Sequence, residues 1–325
     1  MKNKIAIEGH FAIPETLGCS KVYFDDAVWP QFSKKIQDFM DIRLPEMDEY
    51  GIEVKVLSLN SPAIQSIWNR KEAVEVAKKA NDVMAEAMAK KPDRFKGFAA
   101  LPMQDPDAAI KELERCVKEY GCVGALVNGF SQIDSEGNYE YLDHEMYDEF
   151  WACVAELDVP FYLHPRETMK ENIKTLKGQP WLEGAAWAFG VETATHALRL
   201  MGSGMFDKYP NIKIILGHLG EMLPFCIWRS SNRISKTDRG QKFEKPFTYY
   251  FENNFYVTTS GQFHTRSLID TQMELGTDKI LFAADFPFED IKDACTWFDN
   301  APISEHDRYK IGRQNSIDLF KLNLK

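Results

Sequence analysis

The stretch Lys-Ile-Ala-Ile-Glu-Gly-His, residues 4–10, sets the expectation for the whole chain. Its apolar residues Ile5–Ile7 predict a short buried strand, which ends in a carboxylate and an imidazole two positions apart. Because alternate residues of a strand point to the same side, Glu8 and His10 can face one point while Gly9 faces away. An oxygen and a nitrogen placed in this way can bind a divalent metal ion, although a plain strand followed by a polar turn would show the same residues.

Seven further apolar, β-branched stretches predict strands, and amphipathic stretches between them predict helices. The eight predicted strands are Ile5–Ile7, Glu53–Leu59, Gly97–Leu101, Val123–Val127, Val159–Leu163, Ile212–Leu216, Phe255–Thr259 and Ile280–Ala284. The predicted helices are Lys71–Lys90, Pro106–Tyr120, His144–Leu157, Glu192–Phe206, Thr265–Leu275 and, at the end of the chain, Ser304–Phe320. Strands that alternate with helices favour a parallel sheet, and eight such units favour an α/β fold of the (β/α)8 TIM-barrel type.

Two connections are longer than a simple strand–helix unit requires, and both are rich in aromatic residues. Residues Pro14–Leu44 follow the first predicted strand, and Arg166–Thr193 follow the fifth. We expect them to be loop insertions over the C-terminal mouth of the barrel, with about half of their aromatic side chains packing the rim. No glycine- or serine-rich linker divides the chain, so residues 1–325 are expected to form one domain.

The composition disfavours several classes of function. The 325 residues carry a formal net charge of −10, which argues against a nucleic-acid partner because no basic stripe is available to neutralise phosphates. The sequence predicts no signal peptide and no membrane partner, since no stretch approaches the length of an apolar span. The six cysteines show no CxxC spacing and are expected to be buried, reduced thiols of a cytoplasmic protein.

Polar side chains follow nearly every predicted strand, at the end where a TIM barrel places its chemistry. They are Glu8, His10, Asn60, Gln104, Asn128, His164, His218, Ser260 and Asp285. Three of the chain's seven histidines are among them. A single histidine after a strand is usually structural, but three histidines and two carboxylates that converge on one mouth indicate a metal site.

These strand ends and the segments around them resemble the decarboxylating branch of the amidohydrolase superfamily and, within it, the gamma-resorcylate (2,6-dihydroxybenzoate) decarboxylases. The segments that carry the resemblance are KIAIEGHFAIPET (4–16), LSLNS (57–61), PDRFKGFAALPMQDP (92–106), VGALVNGFSQ (123–132), VPFYLHPR (159–166), LGHLGE (216–221) and LFAADFPF (281–288). They are spread over nearly the whole chain. Two places depart from the pattern: Gly9 stands where relatives often carry a second glutamate, and Ser230–Ser235 also looks different.

The resemblance implies a metal centre and a set of catalytic residues. The implied metal ligands are Glu8, His10, His164 and Asp285, and the implied catalytic residues are Asp285, as the proton donor, and His218, which could orient Asp285 or supply the proton itself. Glu221 is expected to be the neighbour of His218, although it could equally be a helix-start carboxylate. The residues expected around the substrate ring are Ser20, Tyr23, Asn128, Phe189, Arg229 and Phe286, with Arg229 coming from its own or a neighbouring subunit.

Two features favour one divalent ion per subunit over a bridged pair. Hydrolases of this superfamily usually begin with His-x-His, whereas this chain has Glu8 as its first ligand. The fourth predicted strand runs into Asn128 instead of a bridging lysine. The resemblance implies Zn²⁺ or Mn²⁺; two imidazoles favour zinc, whereas carboxylates and open positions suit manganese or magnesium equally well.

The reaction that follows is metal-dependent, non-oxidative decarboxylation of an ortho-hydroxylated benzoate, with 2,6-dihydroxybenzoate and its reversible conversion to resorcinol and carbon dioxide as the leading expectation. This would be a lyase of aromatic-compound catabolism, for which 2,3-dihydroxybenzoate and salicylate are alternative substrates. A hydrolase of a lactone or amide could use the same ligands to activate water. A barrel without catalysis that binds an aromatic acid or serves in an assembly is a third alternative. The resemblance also suggests a homodimer or homotetramer.

Overall fold

The computed structural model describes residues 1–237 and 239–324, and its strands form a closed parallel barrel. The strands are β1 (Lys4–Phe11), β2 (Ile52–Leu59), β3 (Phe95–Ala100), β4 (Gly124–Asn128), β5 (Phe161–His164), β6 (Ile214–Leu216), β7 (Phe255–Thr258) and β8 in two segments (Ile280–Leu281 and Ala283–Phe286). The first segment of β8 pairs with β7 and the second pairs with β1, so one interrupted strand closes the ring. The prediction of a (β/α)8 barrel is therefore confirmed.

Helices follow the strands around the outside of the barrel. They are α1 (Pro14–Lys21), α2 (Trp29–Gln37), α3 (Arg43–Glu49), α4 (Arg70–Lys90), α5 (Pro106–Tyr120), α6 (Asp148–Leu157), α7 (Lys170–Ile173), α8 (Ala188–Gly202), α9 (Met205–Lys208), α10 (His218–Glu221), α11 (Leu223–Ile234), α12 (Phe247–Asn254), α13 (Thr265–Leu275), α14 (Ile291–Asn300), α15 (Glu305–Tyr309) and α16 (Asn315–Phe320). A two-stranded hairpin, Ser131–Gln132 with Tyr139–Glu140, follows β4.

Two of the predicted helices are interrupted. The helix expected over Glu192–Phe206 divides into α8 and α9 because Gly204 between them adopts a left-handed φ of 83°. A left-handed residue cannot continue a right-handed helix, and glycine takes this conformation at little cost. The final helix, expected over Ser304–Phe320, consists of α15, a π turn at Lys310–Gln314 and α16.

The strands separate an apolar core in the barrel interior from a larger one between the strands and the helices. The interior core contains Ile5, Ile7, Val54, Val56, Phe98, Leu126, Tyr162, Ile215, Leu281 and Ala283. Leu319, Phe320 and Leu322 from the end of the chain belong to this core. They lie at the bottom of the barrel, because the adjacent Lys321 binds Asp158, which precedes β5, at 2.6 Å. Because apolar side chains fill the bottom, the polar strand ends are left at the opposite, C-terminal face.

Both aromatic insertions lie at that face. The first insertion (Pro14–Leu44) contains α1 and α2, and its Phe24 and Phe32 rings stack at 3.9 Å. The second insertion (Arg166–Thr193) contains α7 and the start of α8. Tyr23 of the first insertion meets Phe189 of the second edge-to-face, with ring centroids 5.7 Å apart. The two insertions therefore touch each other, as expected of loops that cover a mouth.

The cysteines are unpaired, as expected, but only some of them are buried. Cys116, Cys122 and Cys295 are buried, whereas Cys226 on α11 is exposed, and the other two are partly buried. Among the described residues, no helix combines the length and the apolar character needed to cross a membrane.

Candidate metal centre and active site

The structure brings the four predicted metal ligands together at the C-terminal face. Glu8 and His10 lie in β1, His164 ends β5, and Asp285 lies in the second segment of β8. Ligand atoms of Glu8, His10 and His164 lie within 4.8 Å of one another, and those of Glu8, Asp285 and His218 form a second such group. The His10 Nε2 atom is 3.4 Å from Asp285 Oδ1, so the two groups adjoin.

A bulge at Glu8 turns the ligands of β1 into the barrel. Ile5 and Ile7 point into the interior core. Regular alternation would therefore turn Gly9 inward and both Glu8 and His10 outward. Instead, the pairing of β1 shifts register before Gly9 on both neighbouring strands, and Glu8 has a left-handed φ of 57°. The bulge reverses the alternation and places both side chains at the metal centre.

The two imidazoles are oriented by partners behind them. Ser58 Oγ lies 3.0 Å from His10 Nδ1, and Asn128 Oδ1 lies 2.8 Å from His164 Nδ1. Both contacts leave the Nε2 atoms to face the centre, and His10 Nε2 is buried without a hydrogen-bond partner among the described residues. A buried imidazole nitrogen that is held in place but unpaired fits a metal ligand. Asn128, which was expected at the substrate ring, instead positions His164.

Glu8 is held by hydroxyl groups from the end of β7. Thr258 Oγ1 donates to one carboxylate oxygen at 3.1 Å, and Ser260 Oγ donates to the other. The Tyr162 hydroxyl lies 3.2 Å from Thr258 Oγ1 and extends this network into the barrel interior. All four side chains are fully buried. Of these partners, the sequence analysis identified only Ser260, which it listed as a polar strand-end residue but to which it assigned no function.

Burial and the proximity of the ionisable groups shift their pKa values in this centre. Burial, and after it the nearby Asp285 carboxylate, raises the pKa of Glu8 to about 7. Burial and the neighbouring His10 lower the pKa of His164 well below its ordinary value. Two carboxylates and two imidazoles in a buried site form a donor set that suits a divalent cation, so these residues fit a bound metal ion.

His218 and Glu221 bound the short element α10, which is a left-handed turn and not a regular helix. The sequence did not reveal this turn. The five consecutive residues from His218 to Met222 have φ values of 52°, 55°, 88°, 52° and 68°, and only Gly220 among them is a glycine. Left-handed conformation costs other residues about 1–2 kcal/mol each, so the surrounding fold must maintain the turn. It places residues 218 and 221 on one side, with His218 Nδ1 2.6 Å from Glu221 Oε1.

Electrostatics place a proton on His218 and leave Asp285 ionised. Burial alone would lower the pKa of His218, but the Glu221 carboxylate and Asp285 raise it well above its ordinary value. Burial alone would raise the pKa of Asp285, but the nearby His10 and His218 imidazoles bring it below its ordinary range. His218 Nε2 is 3.9 Å from Asp285 Oδ2, which is near enough for a proton to pass after a small movement.

A cavity of about 800 Å³ opens beside His218 and is large enough for one aromatic acid. Phe189 of the second insertion lines it, together with Trp187 and Met222. Tyr23 touches Phe189 from the first insertion, and the buried Ser20 hydroxyl accepts a hydrogen bond from Asn60 at 2.8 Å.

The structure does not bring Arg229 or Phe286 to this mouth. Arg229 is exposed on α11, outside the residues that line the cavity in the described chain. Phe286 is fully buried on the outer side of β8, where its ring centroid lies 4.0 Å from Lys55 Nζ. Phe288, two residues further on, packs edge-to-face on His10 at 5.5 Å and contacts the first insertion through Phe32. The segment 281–288 therefore does supply an aromatic residue next to the candidate ligands, but that residue is Phe288 and not Phe286.

A parallel barrel with this cluster at its C-terminal face defines the class of metal-dependent amidohydrolase-type enzymes. The amidohydrolase family model matches residues 10–322, and the chain belongs to that family and, within it, to the gamma-resorcylate decarboxylases. It is 52% identical to the gamma-resorcylate decarboxylase of Rhodococcus jostii (strain RHA1), over 99% of this chain and 100% of that protein.

Two solved structures are similar over the same length. One is a 2,6-dihydroxybenzoate decarboxylase in complex with 2,6-dihydroxybenzoate, with a TM-score of 0.97, 51% identity, and coverage of 99% of this chain and 100% of that one. The other is a dihydroxybenzoic acid decarboxylase from Polaromonas sp. JS666, with bound manganese and the inhibitor 2-nitroresorcinol. Its TM-score is 0.97 and its identity 52%, over 100% of this chain and 98% of that one.

Removal of the Ser260 hydroxyl should weaken metal binding. Ser260→Ala deprives the Glu8 carboxylate of one donor, and we expect its affinity for Mn²⁺ to fall by about 10–100-fold. Competition with a metal chelator measures this affinity directly. The matched control is Thr259→Val, because the adjacent buried Thr259 hydroxyl binds the backbone of Ala283 instead of a ligand. Equal Mn²⁺ affinities in the two variants would contradict the role given to Ser260.

Proposed function

We propose that the protein catalyses the metal-dependent, non-oxidative decarboxylation of 2,6-dihydroxybenzoate to resorcinol and carbon dioxide, and the reverse carboxylation. The observation that carries the proposal is the buried cluster of Glu8, His10, His164 and Asp285 beside the His218–Glu221 pair. The relatives support the reaction class, because proteins about half identical over their whole length are decarboxylases of this acid. They also support Mn²⁺ as the ion, with Zn²⁺ and Mg²⁺ as alternatives.

The residues of the site have two roles in the proposed reaction, which are to bind the metal ion and to transfer a proton. Glu8, His10, His164 and Asp285 would hold the ion, which when bound would take the substrate's carboxylate and one ortho hydroxyl and spread their negative charge. His218, whose protonated imidazole is stabilised by Glu221, would pass its proton to Asp285, and Asp285 would give that proton to the ring carbon that bears the carboxylate. His218 is the alternative donor, since it already carries the proton.

The substrate ring is held between aromatic side chains that exclude water. Tyr23 and Phe189 cover it from the two insertions, and Phe288 packs against the ligand side. Ser20 and Asn128 lie behind these rings and fix the insertion and His164. A closed, apolar surrounding favours loss of a charged carboxylate as neutral carbon dioxide.

A homodimer or homotetramer would complete this arrangement. Phe225 and Trp228 on α11 are 84% and 66% exposed, and Met273 on α13 is 83% exposed. Phe225 and Trp228 are three residues apart on one helix and so lie on the same face, and a contiguous exposed apolar patch marks an interaction surface. Arg229 lies on the same helix, so a second copy seated there would bring Arg229 towards a neighbouring mouth.

Residues 1–325 are proposed to act as one domain, and the unpaired cysteines support a cytoplasmic location.

Substrate chelation makes a prediction about the acids that react. Acids with at least one ortho hydroxyl should be decarboxylated, whereas benzoate and 4-hydroxybenzoate should be slower by about 100-fold or more, because they offer the ion a carboxylate alone. Carbon dioxide release and resorcinol formation are the measurements. Resorcinol in concentrated bicarbonate should also yield the dihydroxy acid. Comparable turnover of 4-hydroxybenzoate and 2,6-dihydroxybenzoate would contradict chelation, and ring or amide hydrolysis without carbon dioxide would favour a hydrolase.

Substitutions should separate holding the metal from moving the proton. His10→Ala and His164→Ala should lose metal and activity together, because each removes a ligand. His218→Ala should keep its metal but lose about 10²–10⁴-fold in kcat, and Asp285→Asn should lose turnover even where metal remains. Metal analysis and turnover in D₂O, which labels the vacated ring position, are the readouts. His306→Ala is the control, because His306 is exposed. If Asp285→Asn retains both metal and turnover, the proton donor is His218.

The Glu221 carboxylate should set the alkaline limit of activity. Because Glu221 raises the pKa of His218, the imidazole stays protonated to a higher pH than an ordinary histidine. Glu221→Gln removes the charge, lowers that pKa and should shift the alkaline fall of kcat to lower pH by about 1–3 units. Glu221→Asp keeps the charge and should shift the profile less. An unmoved profile in Glu221→Gln would show that His218 is not the group that holds the proton.

A further inference from the structure

Asn60 follows β2 and presents an unpaired acceptor inside the protein. Its side chain is fully buried. The amide nitrogen donates to Thr16 O at 3.0 Å and to Ser20 Oγ at 2.8 Å. Because the Thr16 carbonyl can only accept, it fixes the nitrogen on that side and the Oδ1 atom on the other. Oδ1 has no hydrogen-bond partner among the described residues.

Asn60 stands between the metal centre and the first insertion. Its backbone oxygen accepts a hydrogen bond from Asn128 Nδ2 at 3.1 Å, and Asn128 in turn contacts His164. On its other side, Ser20 belongs to α1 of the first insertion. Two hydrogen bonds thus separate Asn60 from a metal ligand, and one separates it from the covering insertion.

A buried amide oxygen without a donor is costly, so its persistence calls for an explanation. Water or a ligand can supply the missing donor. In a 2,6-dihydroxybenzoate bound as proposed, the carboxylate and one ortho hydroxyl are directed to the ion. The second ortho hydroxyl is then a hydrogen-bond donor that needs an acceptor of its own, and an unpaired amide oxygen can be that acceptor.

We propose that Asn60 Oδ1 accepts a hydrogen bond from the second ortho hydroxyl of the substrate and thereby determines the preference for 2,6-dihydroxybenzoate over salicylate. The assignment rests on the proposed function. A site that is built to bind a hydroxyl discriminates strongly against an analogue that lacks it, because the buried acceptor is then left unpaired. Asn60 is in this sense a specificity residue that contacts the substrate, and the chemical class it selects is an acid with hydroxyls at both ortho positions.

The test is the ratio of kcat/KM for 2,6-dihydroxybenzoate to kcat/KM for salicylate. We expect the wild-type ratio to be about 10–100 or more and the Asn60→Ala ratio to fall at least tenfold towards unity. Because both substrates are measured on the same sample, loss of folded or metal-loaded enzyme cancels in the ratio. A merely structural role of Asn60 would lower both rates together and leave the ratio unmoved.

Gln104 provides a matched control after β3. It is also a fully buried carboxamide with an unpaired side-chain oxygen. Its nitrogen likewise makes two hydrogen bonds, to Ile64 O at 2.6 Å and Ile67 O at 2.9 Å, but these lead to the turn after β2 and not to the first insertion. Gln104→Ala should therefore cost comparable stability without changing the substrate ratio. An equal change of the ratio in both variants would overturn the assignment to Asn60.

A substrate-side measurement covers the case in which Asn60→Ala does not fold. 2-Fluoro-6-hydroxybenzoate fills the second ortho position but has no hydrogen to donate, so the wild-type enzyme should treat it like salicylate. Reaction of this acid as efficiently as 2,6-dihydroxybenzoate would overturn the assignment. An active wild type whose ratio survives Asn60→Ala overturns the role of Asn60 alone. A wild type that releases no carbon dioxide from either acid overturns the proposed function, and this inference falls with it.

Discussion

The candidate site depends on one backbone irregularity, the bulge of β1 at Glu8. Ile5 and Ile7 pack in the interior of the barrel, and in a regular strand Glu8 and His10 would then point outward to the helices. A single left-handed residue reverses the facing, so the same strand supplies apolar side chains to the core below and metal ligands to the mouth above. The strain of that residue costs about 1–3 kcal/mol. The fold tolerates it because β1 pairs with both neighbouring strands before and after the bulge.

Strain recurs wherever the site needs a side chain in an unusual direction. Asp285 on β8 has a φ of 49°, and the residues after β6 form a left-handed turn. These positions lie at three strand ends of one rigid barrel, and each carries a carboxylate or imidazole of the site. Natural sequences follow local rules in most places and break them at functional positions, where the surrounding fold maintains the exception. In this protein four of the left-handed non-glycine residues, Glu8, His218, Glu221 and Asp285, belong to the candidate site.

The sequence predicted what periodicity and position can express, and it missed what depends on local backbone geometry. The barrel and the set of polar strand ends followed from apolar stretches at regular spacing, because strand ends of a parallel barrel converge. The i, i+2 spacing of Glu8 and His10 predicted their common facing but not its direction, which the bulge decides. Asn128 was expected next to the substrate ring, but its side-chain oxygen contacts His164. The sequence could not distinguish these positions, because an amide at a strand end can contact either the substrate or a neighbouring ligand. The left-handed turn carries no signal in a segment that contains a single glycine.

The facing of β1 also explains Gly9 and Phe286 together. Once the bulge turns Glu8 and His10 inward, residue 9 must face the helices, where a Cβ would lie 2.6 Å from Lys55 Cγ. Lys55 is fully buried, burial lowers the pKa of its amine well below the ordinary value, and its Nζ lies 4.0 Å from the Phe286 ring centroid. Arg43 approaches the same ring and donates to the backbone oxygen of His10 at 2.6 Å. Glycine at position 9 thus leaves room for the aliphatic part of the Lys55 side chain. Phe286, which the sequence analysis placed next to the substrate ring, instead packs against Lys55 and Arg43 behind β1.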